Sequence, residues 1–450
     1  MKYDAVIIGF GKGGKTLAGA LAKRGKTVAL IEKSKMMYGG TCINVGCIPS
    51  KSLVMGAEQA AAMVGASFEE LSEKYAAAIR EKRRVTTMLR GKNYDKLDSL
   101  ANVTILDGTA SFHSAHGVAV ETENGTILVE GEKIFINTGA LPVTPVIPGI
   151  EGNPQVYSSE TLMEEEKLPR RLVLIGAGYI GMEFASMYAS FGSEVTVLSD
   201  MEAFLPREDR DVADAIRTTL EGKGVQFVMG VKVQKVEGGL VVFEQEGESR
   251  AVEGDAILLA TGRRPNTDGL NVTAAGVTLT PRGAVQVDEH LRTTAPNIWA
   301  MGDVAGGLQF TYVSLDDYRI VLSDLEGKDE RTTATRRNVP YSVFMSTPLS
   351  RVGMTEQEAK DKGLPIRVLK MPAAAVPKAQ VLRKTEGLLK AVVHAETGKI
   401  LGISLYCAES YEMINVVKLA MDYDADYTVL RDQIFTHPTM SEALNDLFAL

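Results

Sequence analysis

Two stretches of the chain follow one plan, and that plan admits few folds. Residues 3–32 read YDAVIIGFGKGGKTLAGALAKRGKTVALIE, and residues 171–199 read RLVLIGAGYIGMEFASMYASFGSEVTVLS. Each begins with a β-branched run and passes through Gly-x-Gly-x-x-Gly into a helical stretch rich in small residues. A glycine then leads to a second β-branched run. Strand, helix and parallel strand in that order make a right-handed βαβ unit. Two copies predict two units of the kind that bind dinucleotides.

The glycines of the first copy are Gly9, Gly11 and Gly14. In such a turn the first allows a tight bend, the second lets backbone approach a pyrophosphate, and the third lets helix and strand pack closely. The helix start then offers N–H groups to phosphate. Glu32 ends the second strand, where a carboxylate accepts ribose hydroxyls. The second copy has Gly176, Gly178 and Gly181, with Ser199 in the acidic position and Asp200 beside it. Ser199 removes the strongest sign of NADH, yet no arginine closer than Arg207 invites the extra phosphate of NADPH. Asp200 would repel that phosphate, so NADH is the expected partner of the two.

The rest of the sequence bounds the setting. With 450 residues, about three domains are expected. A net charge of -8 argues against a general binder of nucleic acid or anionic membrane. The apolar run at residues 5–8 is too short for a signal peptide, and no stretch nears the ~20 apolar residues of a membrane helix, so a cytoplasmic protein is expected. Pro142, Pro145, Pro148 and Gly149 close a first segment, ATGRRPN (260–266) closes a second, and the charged stretch 326–338 reads as a linker. The predicted domains are 1–149 with 268–335, then 150–267, then an α+β unit at 336–450.

Cys42 and Cys47 lie in GGTCINVGCIPSK (39–51). A zinc site would need two further ligands, and Cys407 with histidines 113, 116, 290, 394 and 437 forms no second half-site. No metal is expected there. Two inert thiols remain an alternative. A dithiol–disulfide couple is favoured, because a helix start lowers a thiol pKa. Cys407, in the apolar run LGISLYC, reads as a buried thiol.

GGTCINVGCIPSK resembles the active-site motif of the class I flavoprotein disulfide reductases, a family that includes lipoamide dehydrogenase, glutathione reductase and mercuric reductase. ATGRRPN, the segment from Thr294 to Gly302 and Asp303, and His437-Pro438-Thr439 with Glu442 carry the same resemblance. It implies an α/β chain of two Rossmann-like dinucleotide-binding domains and a C-terminal α+β dimerisation domain. FAD would be held by Gly9, Gly11, Gly14, Glu32 and Lys33, by Gly40, Thr41 and Lys51, and by Thr138, Gly139, Gly302 and Asp303. NAD(P)H would lie on Gly176, Gly178, Tyr179, Ile180, Gly181, Ser199 and Gly262, with Tyr179 covering the nicotinamide pocket. Cys47 would face the flavin and Cys42 the substrate. Lys51 and Glu183 would pair near the flavin, and His437, oriented by Glu442, would serve as acid–base in the other subunit of a homodimer.

A narrower resemblance runs through GFGKGGKTLA, MYGGTC, IWAMGDVAGGLQFTYVSLDDYRIV, NVPYSVFMSTPLSRVGMTEQEA and LRDQIFTHPTMSEALNDLF. These are similar to bacterial reactive-chlorine-resistance flavoproteins, a group that includes hypothiocyanous acid reductases and to which copper(II) reduction has also been assigned. The implied substrate is a small oxidant, hypothiocyanous acid, reduced to thiocyanate. Lipoamide dehydrogenases commonly end in His-x-His-Pro and open the last domain with Pro-Glu. Here Phe435 and Leu349 stand in those places, where they are expected to alter a lipoamide channel. A flavin-bearing redox sensor is the non-enzymatic alternative.

Overall fold

A computed structural model describes residues 1–328 and 330–450. In the first βαβ unit, strand Lys2–Ile8 leads to helix Lys12–Ala22 and strand Val28–Glu32, with Ile8 paired to Ile31. Val28–Glu32 is buried throughout, as expected of a parallel strand covered on both faces. Val103–Asp107 extends this sheet on one side and Gly125–Ile136 on the other. Gly125–Ile136 also turns back through Gly117–Thr122 to Thr109–Phe112 as an antiparallel meander. The seventh strand, Ile298–Ala300, comes from far along the chain and pairs in parallel with Gly125–Ile136.

Between those strands the chain builds a second, five-stranded parallel sheet. Arg171–Ile175 is central, flanked by Glu194–Leu198 and Ala256–Leu259, with Gln226–Val228 and Val156–Ser158 at the edges. Helix Tyr179–Ser190 crosses between Arg171–Ile175 and Glu194–Leu198. The chain leaves for this sheet and returns from it through a two-stranded ribbon, Ala140–Pro142 against Arg263–Pro265. The C-terminal sheet is antiparallel, in the order Tyr341–Val343, Leu349–Gly353, Ile400–Tyr406, Leu388–His394, Ile366–Pro372. Helices Ser410–Asp422 and Ala443–Ala449 bury Val417 and Leu447 in its core.

One apolar cluster fixes the helix that carries the cysteines. Leu53 and Ala57 of helix Cys47–Ala61 pack with Tyr75 and Ile79 of helix Phe68–Asp98, and with Phe184, Tyr188 and Phe191 at the helix Tyr179–Ser190. Full burial of each large side chain contributes about 1.5–3 kcal/mol. The long helix starts at a capping box, with Ser67 and Glu70 satisfying each other's backbone N–H.

The stretch 326–338 is not a loose linker. Arg336 pairs with Asp316 at 2.8 Å and also with Asp317, both on helix Thr311–Leu325, and Thr332 is buried. Charge complementarity across the fold, invisible in the local sequence, docks it. Asp329 of this stretch lies outside the described residues. Among the described residues no helix is long and apolar enough to cross a membrane.

Candidate active site

Asn137 follows strand Gly125–Ile136 and ties the first glycine turn to its neighbours. Its Oδ1 accepts the Gly14 N–H at 2.9 Å, and its Nδ2 donates to the Met301 carbonyl at 2.6 Å. A Cβ on Gly11 would lie 2.5 Å from that same Oδ1. Gly11 is therefore required by protein packing, and the sequence reading that gave it to a pyrophosphate alone was incomplete. Gly178, its counterpart, differs: a Cβ there would meet nothing within 4 Å. Gly178 also precedes a helix start that no side chain caps, which leaves the open approach an anionic phosphate needs.

The ends of the first sheet open onto a cavity of about 1440 Å³. Common ligand pockets span about 300–1,000 Å³, so this one has room for a large cofactor together with a substrate. Gly9, Gly11, Glu32 and Lys33 line it from the first βαβ unit, and Gly40, Thr41, Cys42, Cys47 and Lys51 from the cysteine segment. Thr138, Gly139 and Asp303 complete that wall, while Tyr179, Ile180 and Glu183 reach in from the second unit. Gly14 and Gly302 stand behind the lining, and Gly176, Gly178, Gly181 and Gly262 lie outside it. Ser199 is buried rather than open to a ligand, with its hydroxyl accepting the Met201 N–H at 3.2 Å.

Two carboxylates test the fit of FAD. Burial raises the pKa of Glu32, opposed by N–H donors from Phe10 and Ser34. Burial also raises Asp303, opposed chiefly by the charge of Arg263. Each faces the cavity with its anion poorly solvated, so hydroxyl donors from a ribose or a polyol chain would relieve the burden. The residues present fit the cofactor.

The dithiol is held by a short turn. Asn44 donates to the carbonyls of Tyr38 and Gly40 at 3.0 and 2.9 Å, and Arg90 donates to Asn44 Oδ1 at 2.8 Å. Cys42 lies in helical turn Thr41–Asn44, and Cys47 is the first residue of helix Cys47–Ala61. A hydrogen bond from Cys42 lowers the Cys47 thiol to about 6, aided by the Lys51 charge, while burial opposes the shift. The same hydrogen bond, with burial, pushes Cys42 upward. Thr311 Oγ1 stands 3.7 Å from Cys47 Sγ. Lys51 Nζ meets both oxygens of Glu183 at 2.8 Å and lies 4.7 Å from the Phe344 ring centre. The Phe344 N–H donates to Glu183 Oε1 at 2.8 Å. Cys407 is fully buried, and burial pushes its thiol up to about 12.

His437 is not brought to this cavity by its own chain. Its imidazole is exposed, with Nδ1 2.8 Å from Glu442 Oε2, and neither residue lines the cavity. Leu349 corrects a second expectation. Leu349 is fully buried in its strand and cannot line a channel, whereas Phe435 is half-buried on the C-terminal core, two residues from His437 and away from its own chain's cavity. Sequence reasoning missed Asn137, Thr311 and Phe344. Thr311 opens the helix that follows the Gly302-Asp303 motif, which is a usable signal, whereas nothing local marks Phe344. Among the described residues, no group of three or more His, Cys, Asp or Glu is placed to hold a metal ion.

The family model described as pyridine nucleotide-disulphide oxidoreductase matches residues 3–317, and that family's dimerisation domain matches residues 339–448. The chain belongs to the pyridine nucleotide-disulphide oxidoreductases, and it is an FAD-dependent enzyme that works with a nicotinamide cofactor. Within that family it is 52% identical to the probable pyridine nucleotide-disulfide oxidoreductase RclA of Escherichia coli over 449 residues, covering 100% of this chain and 99% of the relative. The solved structure of the HOCl-induced flavoprotein disulfide reductase RclA of Escherichia coli superposes with a TM-score of 0.93 over 100% of both chains, at 52% identity. Mercuric reductase of Staphylococcus aureus is 32% identical over 98% of this chain and 81% of the relative. The narrower resemblance to reactive-chlorine-resistance flavoproteins agrees with these findings.

Proposed function

We propose that the enzyme reduces hypothiocyanous acid with a Cys42–Cys47 dithiol, in defence against reactive chlorine and related oxidants. The observation that carries the reading is the cysteine pair at the wall of a cavity shared with Glu32, Asp303 and Tyr179. The RclA structure described as HOCl-induced, at 52% identity, supports the class of stress. In this proposal residues 1–149 with 268–335 hold FAD, 150–267 hold the nicotinamide cofactor, and 336–450 form the dimer. Exposed Leu419, Tyr423, Val429 and Ile434 on that last unit support a dimer face. NADH is the proposed donor, because the Asp200 carboxylate, beside Ser199, would repel a 2′-phosphate if it points inward.

When bound, FAD would pass an electron pair from the reduced nicotinamide to the Cys42–Cys47 disulfide. Cys42 gives its proton to His437 of the partner subunit and, as thiolate, attacks the sulfur of hypothiocyanous acid, and the S–O bond breaks. His437 of the partner subunit, held by the partner's Glu442, gives the proton that lets the oxygen leave as water. Cys47 then attacks Cys42, the disulfide forms, and thiocyanate leaves as a weakly basic group. One NAD(P)H and one hypothiocyanous acid give NAD(P)+, thiocyanate and water. Lys51 and Glu183 keep a fixed charge pair beside Cys47. The depressed Cys47 pKa supports its role as the resolving thiolate.

An oxidant panel followed by loss of reduced-nicotinamide absorbance tests the proposal. We expect kcat/KM for hypothiocyanous acid to exceed that for lipoamide, glutathione disulfide and Cu(II) by at least about a hundredfold, roughly 2.7 kcal/mol of transition-state stabilisation. Efficient lipoamide turnover with slow hypothiocyanous acid reduction would overturn it. A redox sensor would show no sustained turnover with any oxidant. The Cu(II) complex of RclA from Escherichia coli, also 52% identical, is the reason that Cu(II) belongs in the panel.

A further inference from the structure

Behind the cavity, two phenols converge on one buried carboxylate. Tyr179 begins helix Tyr179–Ser190, and Tyr341 begins strand Tyr341–Val343 of the C-terminal sheet. Both line the cavity, their ring centres are 5.4 Å apart, and their hydroxyls are 3.1 Å apart. Both hydroxyls donate to Oε1 of Glu208. The Glu208 side chain is 0% exposed and does not line the cavity.

The other half of that carboxylate is unsatisfied. Glu208 Oε2 and Arg351 Nε are buried atoms without a hydrogen-bond partner, and they lie 3.7 Å from each other. Arg351 is otherwise anchored, through a 2.9 Å bond to the Arg207 carbonyl and a place 5.3 Å from the Tyr341 ring centre. A buried donor and a buried acceptor are each costly when left open. Here they stand opposite each other, one short movement from pairing. Glu208 therefore has two arrangements close at hand: two phenols on Oε1, or one phenol on Oε1 with Arg351 on Oε2.

We infer that Glu208 latches Tyr179 in place, and that an incoming nicotinamide ring displaces Tyr179 while Arg351 takes up the released carboxylate. The inference rests on the reading that Tyr179 covers the nicotinamide pocket. Tyr341 stays on Glu208 in both arrangements and keeps it oriented. Glu208 and Arg351 are positioning residues, since neither reaches the cavity. The latch opposes only ligands that carry a nicotinamide. ADP-ribose, which lacks that ring, does not have to move Tyr179.

Calorimetric titration of the holoenzyme with NAD+ and with ADP-ribose separates the possibilities. Tyr179→Phe keeps the ring and its packing but removes the latching hydroxyl. It should tighten NAD+ binding on the order of tenfold, the scale of a hydrogen bond to a charged group, and leave ADP-ribose unchanged. Arg351→Met removes the group that compensates the open state, so NAD+ should bind more weakly and ADP-ribose as before. If Tyr179→Phe binds NAD+ like the wild type while Tyr179→Ala binds it more tightly, the ring covers the pocket without a latch, and the inference fails alone. If Tyr179→Ala changes NAD+ and ADP-ribose binding alike, Tyr179 does not cover the pocket and the underlying reading fails with it.

Discussion

A composite site has an arithmetic that a self-contained one lacks. His437 is exposed and lies off the cavity that holds Cys42 in the same chain. If it serves the neighbouring subunit, each of the two sites takes its cysteines from one chain and its imidazole from the other. Cys42→Ser chains alone and His437→Ala chains alone then have no intact site. When equal amounts exchange, about half of the twofold-symmetric dimers pair one of each. In such a pair one site loses both groups and the other keeps both. The mixture should recover about a quarter of the wild-type activity per chain, one working site in half of the dimers. The assay is NAD(P)H oxidation with hypothiocyanous acid after chain exchange, with heterodimers verified by two affinity tags. Recovery near zero with heterodimers present would place His437 in its own chain's site.

Other consequences can be checked in the reduced enzyme. Two-electron-reduced Cys42→Ser should keep a long-wavelength charge-transfer band and Cys47→Ser should lose it; the reverse pattern would show that the two thiols have exchanged roles. The Cys47 thiol falls from the ordinary 9.0 to about 6, so its stabilisation of the reduced fold should be complete above pH 9.0 and lost as pH drops through about 6. Denaturant titrations of wild type and Cys47→Ser across that range would show it, and an unchanged difference between them would refute it. Lys51→Met leaves Glu183 with the Phe344 N–H as its remaining contact among those described above, and should cost about 3 kcal/mol in the same assay, with an upward shift of the Cys47 titration; a loss under about 0.5 kcal/mol would refute a stabilising role for the pair. Ser199→Glu places a carboxylate at the position that Glu32 holds in the first unit, and should raise KM for NADPH while sparing NADH; equal effects on both would show that the side chain stays buried.

What the sequence made legible was local. A βαβ unit is contiguous, its period and its glycines sit within about thirty residues, and both copies could be read directly. The cysteine segment is equally compact; a helix start was expected beside the thiols, and the structure begins one at Cys47. The pairing of Lys51 with Glu183, across a separation of 132 residues, came only through family resemblance. The Glu208 cluster draws on the second βαβ unit, the loop before helix Arg210–Gly222 and two C-terminal strands, so no window of sequence contains it. Leu349 was misjudged for a related reason. A departure from a family pattern shows that a position differs, but whether it faces a cavity depends on strand register, and Leu349 pairs with Tyr406 inside the sheet. The stretch 326–338 looked like a tether because charge and turn residues were all that could be seen; its partners, Asp316 and Asp317, lie on a helix already passed.

The ribbon of Ala140–Pro142 and Arg263–Pro265 also bears on how such a chain can be remade. Pro142 and Arg263 are direct partners across that ribbon, so the inserted unit departs and returns about 5 Å apart. A tight hairpin could bridge that gap, and a foreign module with neighbouring termini could be grafted there without stretching the host. Covalent geometry thus treats the middle unit as a replaceable cassette. Packing does not, because its helix Tyr179–Ser190 shares an apolar cluster with the cysteine-bearing helix, and any substitute would have to offer the host a matching face.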